Sequence, residues 1–225
     1  MKPLLGVIGG MGTQATAWFY EKLHCLQTVS VEQEFLDVLL YSMPSAPDRT
    51  AYITGRSSES PLGSLIHAAK TLETAGADCI ALPCATSHFF YADLVAAVNV
   101  PILNMLDETA SYVSERGITK VCLFATDGTV KGRAFHSAFE KLGIEVVTPD
   151  DETQDSLMKI IYDVKRGVDV SPDTIDVITA KSLETGADAV ILGCTELCVI
   201  ASENPSAINI LEVLAKASID ACKGI

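Results

Sequence analysis

Short apolar runs alternate with longer amphipathic stretches along the whole chain. Residues 4–8 form the first run, which ends in Gly9-Gly10-Met11-Gly12; Ala15, Trp18, Phe19, Leu23 and Leu26 then recur at helical spacing up to Gln27. Residues 35–40 read as a second strand, followed by a loop over 42–49 in which Pro44 and Pro47 bar a helix at its start. A helix over 61–75 closes at Gly76, a third strand covers 79–82, helical spacing resumes after Cys84 to about Val98, and a short strand covers 100–103. The scheme then restarts. A strand over 121–124 meets the turn Ala125-Thr126-Asp127-Gly128-Thr129, a helix runs to Leu142, and a strand follows over 144–147. Helices over 156–164 and 173–185 flank Lys165-Arg166-Gly167 and lead to a strand over 189–192. Strands alternating with helices predict an α/β fold with parallel sheets and right-handed crossovers.

One stretch returns. From Gly76 the chain reads GADCIALPCATSH, and from Gly186 it reads GADAVILGCTEL; each glycine stands eight residues before a cysteine, Cys84 or Cys194. Leu72-Glu73-Thr74 precedes the first copy and Leu183-Glu184-Thr185 the second. Such self-similarity predicts duplicated units: two pseudo-symmetric Rossmann-like lobes, each a mainly parallel sheet flanked by helices, with the active site in the cleft between them. The expected boundaries are 1–104 plus 208–225 for one lobe and 105–207 for the other, with crossovers near Met105 and over 204–209. The last helix, over 211–222, has no counterpart in the repeat and is expected to cross back onto the first lobe. A pseudo-twofold axis would set the two cysteine turns face to face.

Composition narrows the function. The chain has 225 residues, 48% of them apolar, and a mean hydropathy of +0.30, enough for sizeable cores. A formal charge of −13 argues against nucleic acid, whose binding rests on clustered Lys and Arg. No apolar run approaches the roughly 20 residues of a membrane span, and Met1-Lys2-Pro3 leads straight into a strand rather than a secretory signal, so a cytoplasmic protein is expected. Seven cysteines in such a chain argue against a disulfide framework. Cys25, Cys79, Cys122, Cys198 and Cys222 lie in apolar segments and read as buried filler. Cys84 and Cys194 differ in standing at turns after strands.

A cysteine at a strand-to-helix turn meets free backbone N–H groups and the helix dipole, which is expected to lower its pKa. Two such thiols on opposite sides of a small chiral substrate suit inversion of a carbon centre, in which one removes a proton and the other delivers one to the opposite face. Thr86 and Thr195 offer hydroxyls to a carboxylate, and the turns around Met11 and over Thr126 to Thr129 can share that role. Arg49 and Lys165 are loop cations at matching heights of the two lobes, though the residues alone do not separate them from Arg56 and Arg166. His88 stands four residues after Cys84 and either tunes that thiol or serves the core. Glu196 either polarises Cys194 or caps a helix, and His24, His67 and His136 stand alone. A dinucleotide site has one weak signal, the Gly10, Gly12, Ala15 spacing after a strand, but the acidic residue expected at the end of the second strand is lacking. No CxxC or clustered His supports a metal.

Several stretches, in order over nearly the whole chain, together resemble the aspartate/glutamate racemase superfamily, closest to its aspartate racemase branch. They are Gly9-Gly10-Met11-Gly12 with Ala15-Thr16, Pro44 with Pro47-Asp48-Arg49-Thr50, Pro83-Cys84 with Thr86 and His88, Ala125-Thr126 with Gly128-Thr129, Tyr162 with Lys165 and Gly167, and Gly193-Cys194-Thr195-Glu196. The resemblance implies a two-base racemase needing neither pyridoxal phosphate nor metal, usually a homodimer, acting on aspartate or a related acidic amino acid. It implies Cys84 and Cys194 as the catalytic pair and Arg49 and Lys165 as binders of the side-chain carboxylate. Thr86, Thr126, Thr129 and Thr195 would surround the α-carboxylate, and Glu196 matches an acidic residue beside the second cysteine. Three departures bear on the substrate. Ala85 replaces a usual Asn that would hold it, Thr13 stands where Pro is usual, and Gly132 and Phe135 remove two hydroxyls. Within the superfamily, an isomerase or decarboxylase acting on small dicarboxylates is the alternative activity, and amino-acid binding without catalysis is a further one.

Overall fold

The computed structural model describes residues 2–200 and 204–224. In the first half, β1 (Leu4–Gly9) lies between β2 (Asp37–Ser42) and β3 (Cys79–Ala81), all parallel. In the second, β4 (Lys120–Phe124) and β6 (Ala189–Leu192) form the centre of a parallel sheet ordered β5-β4-β6-β7, with β5 (Glu145–Val147) and β7 (Ala207–Asn209) at its edges. β1, β3, β4 and β6 are buried along almost their whole length, so they read in sequence as unbroken apolar runs. The expected pair of parallel α/β sheets flanked by helices is the architecture found. No helix among the described residues is long and apolar enough to cross a membrane.

The repeated Gly-Ala-Asp has a physical reason in each of its residues. Gly76 and Gly186 follow the last turns of their helices at φ +92° and +89°, a conformation that L side chains rarely adopt. Ala77 and Ala187 are buried beneath the turn. Asp78 accepts a hydrogen bond from the Leu4 N–H (2.8 Å), and Asp188 accepts from the N–H groups of Thr119 and Lys120 (3.0 Å each). Each aspartate thus ties the incoming strand to the start of its central neighbour, which fixes where the strand's other end delivers its cysteine.

The helices are α1 (Thr13–Cys25), α2 (Arg49–Ile53), α3 (Leu62–Thr74), α4 (Tyr91–Ala97), α5 (Met105–Ser114), α6 (Asp127–Gly132), α7 (Ala134–Glu140), α8 (Asp151–Lys165), α9 (Pro172–Leu183), α10 (Thr195–Ile200) and α11 (Ile210–Lys223). Several depart from the sequence expectation. A helix begins directly at Arg49, because Asp48 caps it by accepting from the Ala51 N–H (3.0 Å). Residues after Cys84 form a 3-10 segment, Ala85–Phe90, before α4 begins. The stretch over 100–103 makes only an isolated bridge, Ile80 with Ile102. The helix expected to run to Leu142 breaks at Arg133, which takes the left-handed conformation (φ 51°) between α6 and α7. α8 starts five residues early on its Asp150 cap. Cys25 is exposed rather than buried.

The largest correction concerns the last helix. α11 does have a counterpart, α5. Asn104 caps α5 by accepting from the N–H groups of Leu106 and Asp107, and Asn209 caps α11 by accepting from Leu211 and Glu212. Upstream, Ile80 donates its N–H to the Pro101 carbonyl and Val190 to that of Ser206, so each helix is approached by a short extended stretch tied to the strand beside it. The two helices pack on each other; α5 also packs on α7 and α11 on α1. Each helix leaving one sheet therefore covers the other half of the molecule, and one apolar core runs from Leu123 and Ile191 through Leu211 and Leu214 to Leu5 and Phe19. Burying a Leu or Ile is worth about 1.5–3 kcal/mol, so the exchange joins the two sheets firmly.

Candidate active site

The turn after β1 is shaped by contact with the loop after β2. Gly10 has φ +88°, and a β-carbon there would lie 2.4 Å from the Met43 backbone nitrogen, so only glycine fits. The next carbonyl, Met11 O, accepts from Arg49 Nη2 (3.4 Å), while Nη1 donates to Pro47 O (3.2 Å). Arg49 Nε is buried and has no hydrogen-bond partner among the described residues. Beside it, Asp48 Oδ2 accepts from the Tyr162 hydroxyl of α8 (3.0 Å). Burial works against charge on Asp48, but the Ala51 N–H, the Tyr162 hydroxyl, Lys165 and Arg49 outweigh it and hold its carboxyl below the usual range. Gly128 of α6 faces the backbone of Thr50 so closely that a β-carbon would come within 2.8 Å of Thr50 Cα. The start of α2 is thus pressed onto the second sheet's loops.

Cys84 lies just past β3, in extended backbone, and directly precedes the 3-10 segment. Its carbonyl accepts from the Ser87 N–H (3.2 Å) and from His88 Nδ1 (3.0 Å), and its sulfur accepts from the Ser87 hydroxyl (3.1 Å). His88 Nε2 in turn accepts from the Met105 N–H (3.1 Å). A carbonyl on one nitrogen and an N–H on the other fix the neutral ring with its proton on Nδ1, and burial pushes the His88 pKa down despite the backbone of Cys84 and Leu103 and the charge of Asp107. With both ring nitrogens engaged by backbone, His88 pins the Cys84 turn to the start of α5. Thr86 points the other way. Its hydroxyl meets Thr126 (3.1 Å) and Thr129 (2.9 Å), which lie 3.1 Å from each other, so three buried hydroxyls from the two halves converge.

Cys194 stands at the equivalent turn with different partners. Its thiol donates to Glu196 Oε2 (3.0 Å), which also lies 3.4 Å from the Thr195 hydroxyl. Burial raises the Cys194 pKa well above the usual thiol value, and the Glu196 carboxylate raises it further against the pull of Lys165. The expected lowering by a helix terminus is overturned here, because desolvation and an adjacent anion outweigh the dipole. Lys165 shows what these groups share. Burial opposes its charge, yet Glu196, Cys194 and Cys84 together hold its pKa above the usual lysine value against the repulsion of Arg49. Both cysteines, Glu196 and both cations thus act on one neighbourhood.

Glu196 Oε1 is buried without a hydrogen-bond partner among the described residues and lies against Gly12, where a β-carbon would come within 2.9 Å of it. A pyrophosphate bound in the dinucleotide manner would sit at this same N-terminus of α1. The carboxylate there makes that reading untenable. Of the remaining positions, Ala85 is buried in the apolar core and brings no polar side chain, Phe135 packs on Phe139, and Gly132 faces the Phe89 ring. The contacts of Ser87 with Cys84 and of Asp48 with Tyr162 are not legible in the sequence; the one signal for the first is a hydroxyl three residues after the cysteine. No group of three or more His, Cys, Asp or Glu suited to a metal occurs among the described residues.

A family model described as Asp/Glu/Hydantoin racemase matches residues 8–219, and the chain belongs to that family. It is accordingly an isomerase, of the amino-acid racemase class. The chain is similar to the aspartate racemase of Picrophilus torridus, at 33% identity with a TM-score of 0.88 over 98% of this chain and 94% of that one. An aspartate racemase homologue from Pyrococcus horikoshii OT3 is 29% identical with a TM-score of 0.78, covering 99% of this chain and all of the other. Among curated proteins, the broad specificity amino-acid racemase RacX of Bacillus subtilis (strain 168) is 26% identical over 96% of each chain.

Proposed function

We propose that the protein interconverts the enantiomers of aspartate or a related acidic amino acid, without a cofactor, by a two-base reaction of Cys84 and Cys194. What supports this reading most directly is that two buried cysteines stand at equivalent turns after parallel strands, and that the Thr86 hydroxyl beside one of them meets Thr126 and Thr129 of the other half. In this reading the α-carboxylate is received by the Thr86, Thr126 and Thr129 hydroxyls and by Thr195, with backbone of the Met11 and Ala85 turns beside them. The side-chain carboxylate lies toward Arg49 and Lys165. One thiolate takes the α-proton, so that a C–H bond breaks and an S–H bond forms. Hydrogen bonds to the carboxylate stabilise the enediolate-like charge. The opposite thiol then gives its proton to the other face, which inverts the centre, and Glu196 holds that proton on Cys194 until it is needed.

The lobe boundaries belonging to this reading are 1–104 plus 208–225 and 105–207; they pass through residues 1, 201–203 and 225, which lie outside the described residues. A homodimer comes with it from the family resemblance. Because Ala85 supplies no amide and Phe135 no hydroxyl, the site offers fewer polar contacts to the substrate than the aspartate branch usually does, and related acidic amino acids belong to its range. The test is a panel of single-enantiomer amino acids incubated with the pure protein, free of added cofactor, and followed by chiral chromatography. Acidic amino acids are expected to racemise fastest. Racemisation of none of the panel would refute the proposal.

A further inference from the structure

The two cysteine turns are equivalent in backbone position but not in the side chains that meet each sulfur. Two residues after the cysteine, the first copy has Thr86 and the second Glu196; three residues after, the first has Ser87 and the second Leu197. Thr86 is committed to Thr126 and Thr129, whereas Glu196 accepts the Cys194 thiol proton. Leu197 is a buried core residue, whereas the Ser87 hydroxyl donates to the Cys84 sulfur. A hydroxyl in a helical turn ordinarily donates back to a carbonyl three or four residues earlier. Here the Cys84 carbonyl is already taken by the Ser87 N–H and by His88 Nδ1. The Ser87 hydroxyl, fully buried, has instead two sulfurs, Cys84 Sγ at 3.1 Å and Met11 Sδ at 3.8 Å. The shorter contact is the stronger bond, and it strengthens further when the acceptor carries the negative charge.

We infer that Ser87 is a positioning residue for Cys84, whose hydroxyl selects the thiolate there while Glu196 selects the thiol at Cys194, so that the free enzyme rests with its base at Cys84. The inference rests on the two-thiol reading of the site. In the resting form Cys84 accepts the α-proton of the enantiomer that presents it, and Cys194 releases its own to the opposite face; turnover of the other enantiomer starts from the reverse distribution. Lys165, acted on by both thiols, supplies a cation near the charge in either form.

The test is the rate at which iodoacetamide labels each cysteine of the intact free protein at pH 7, read by mass spectrometry of the Cys84 and Cys194 peptides. In wild type, Cys84 is expected to label faster than Cys194, since only thiolate reacts. In Ser87→Ala the Cys84 rate is expected to fall about tenfold, the loss of a hydrogen bond to a charged group, with the Cys194 rate unchanged. A general loss of packing would move both rates together. Cys84 labelling as fast in the variant as in wild type, or equal slowing of both thiols, overturns the inference. Labelling needs no turnover. A protein that labels in this pattern but racemises no amino acid would therefore refute the proposed reaction and leave the role of Ser87 standing.

Discussion

Replacing either Cys84 or Cys194 with alanine is expected to reduce racemisation by about 10²–10⁴-fold, the usual contribution of a positioned acid or base, while leaving the fold intact. Both side chains are small and buried, and neither belongs to a hydrogen bond that holds an element together. The two variants should not behave alike in every respect. Cys194→Ala leaves the Glu196 carboxylate without its thiol donor beside an already unpartnered oxygen, so this variant is expected to be the less stable of the two on heating. Cys84→Ala leaves only the Ser87 hydroxyl to find the Met11 sulfur. Chiral chromatography checks the rates and thermal unfolding the stabilities. Wild-type racemisation in either variant would remove that thiol from the reaction.

Arg49→Ala is expected to lower kcat/KM for acidic amino acids by about tenfold to a hundredfold, the worth of one or two hydrogen bonds to a charged group, and to change that for alanine little. The contrast between substrates is what matters. Arg49 also holds the Pro47 and Met11 carbonyls, so its removal loosens the loop for every substrate alike. Only the loss of a carboxylate partner is selective. Its buried Nε, without a partner among the described residues, is a donor there that lacks an acceptor. Equal losses with aspartate and alanine would assign Arg49 to the loop alone.

The fold is unevenly legible in its sequence, for physical reasons. Parallel strands buried along almost their whole length must be continuous apolar runs, so β1, β3, β4 and β6 and the Gly-Ala-Asp turns before two of them stand out. The pairing of α5 with α11 does not. Their shared signal is a single Asn cap, while Pro101 in one copy and Ser206 in the other obscure the common approach. The 3-10 segment after Cys84 is also hidden, because His88 is drawn into it by the Met105 N–H, seventeen residues on. At the site, the residue types are readable and the electrostatics are not. A helix terminus promises an acidified Cys194, but how deeply the sulfur is buried and which way Glu196 turns are decided by tertiary packing. Gly12 is a related case, legible as part of a glycine turn when its use is to leave room for the Glu196 carboxylate.

The central claim is that two sulfurs serve the two faces of one carbon. It is tested most directly by incubating a single enantiomer of the preferred amino acid with the wild-type protein in D₂O and following deuterium at the α-carbon of each enantiomer early in the reaction. With two bases, the product arrives carrying deuterium from the solvent-exchanged acid, while the remaining starting enantiomer stays protiated. Deuterium entering the starting enantiomer as fast as product forms, or product that keeps the original proton, would mean that a single group works both faces and would contradict the account.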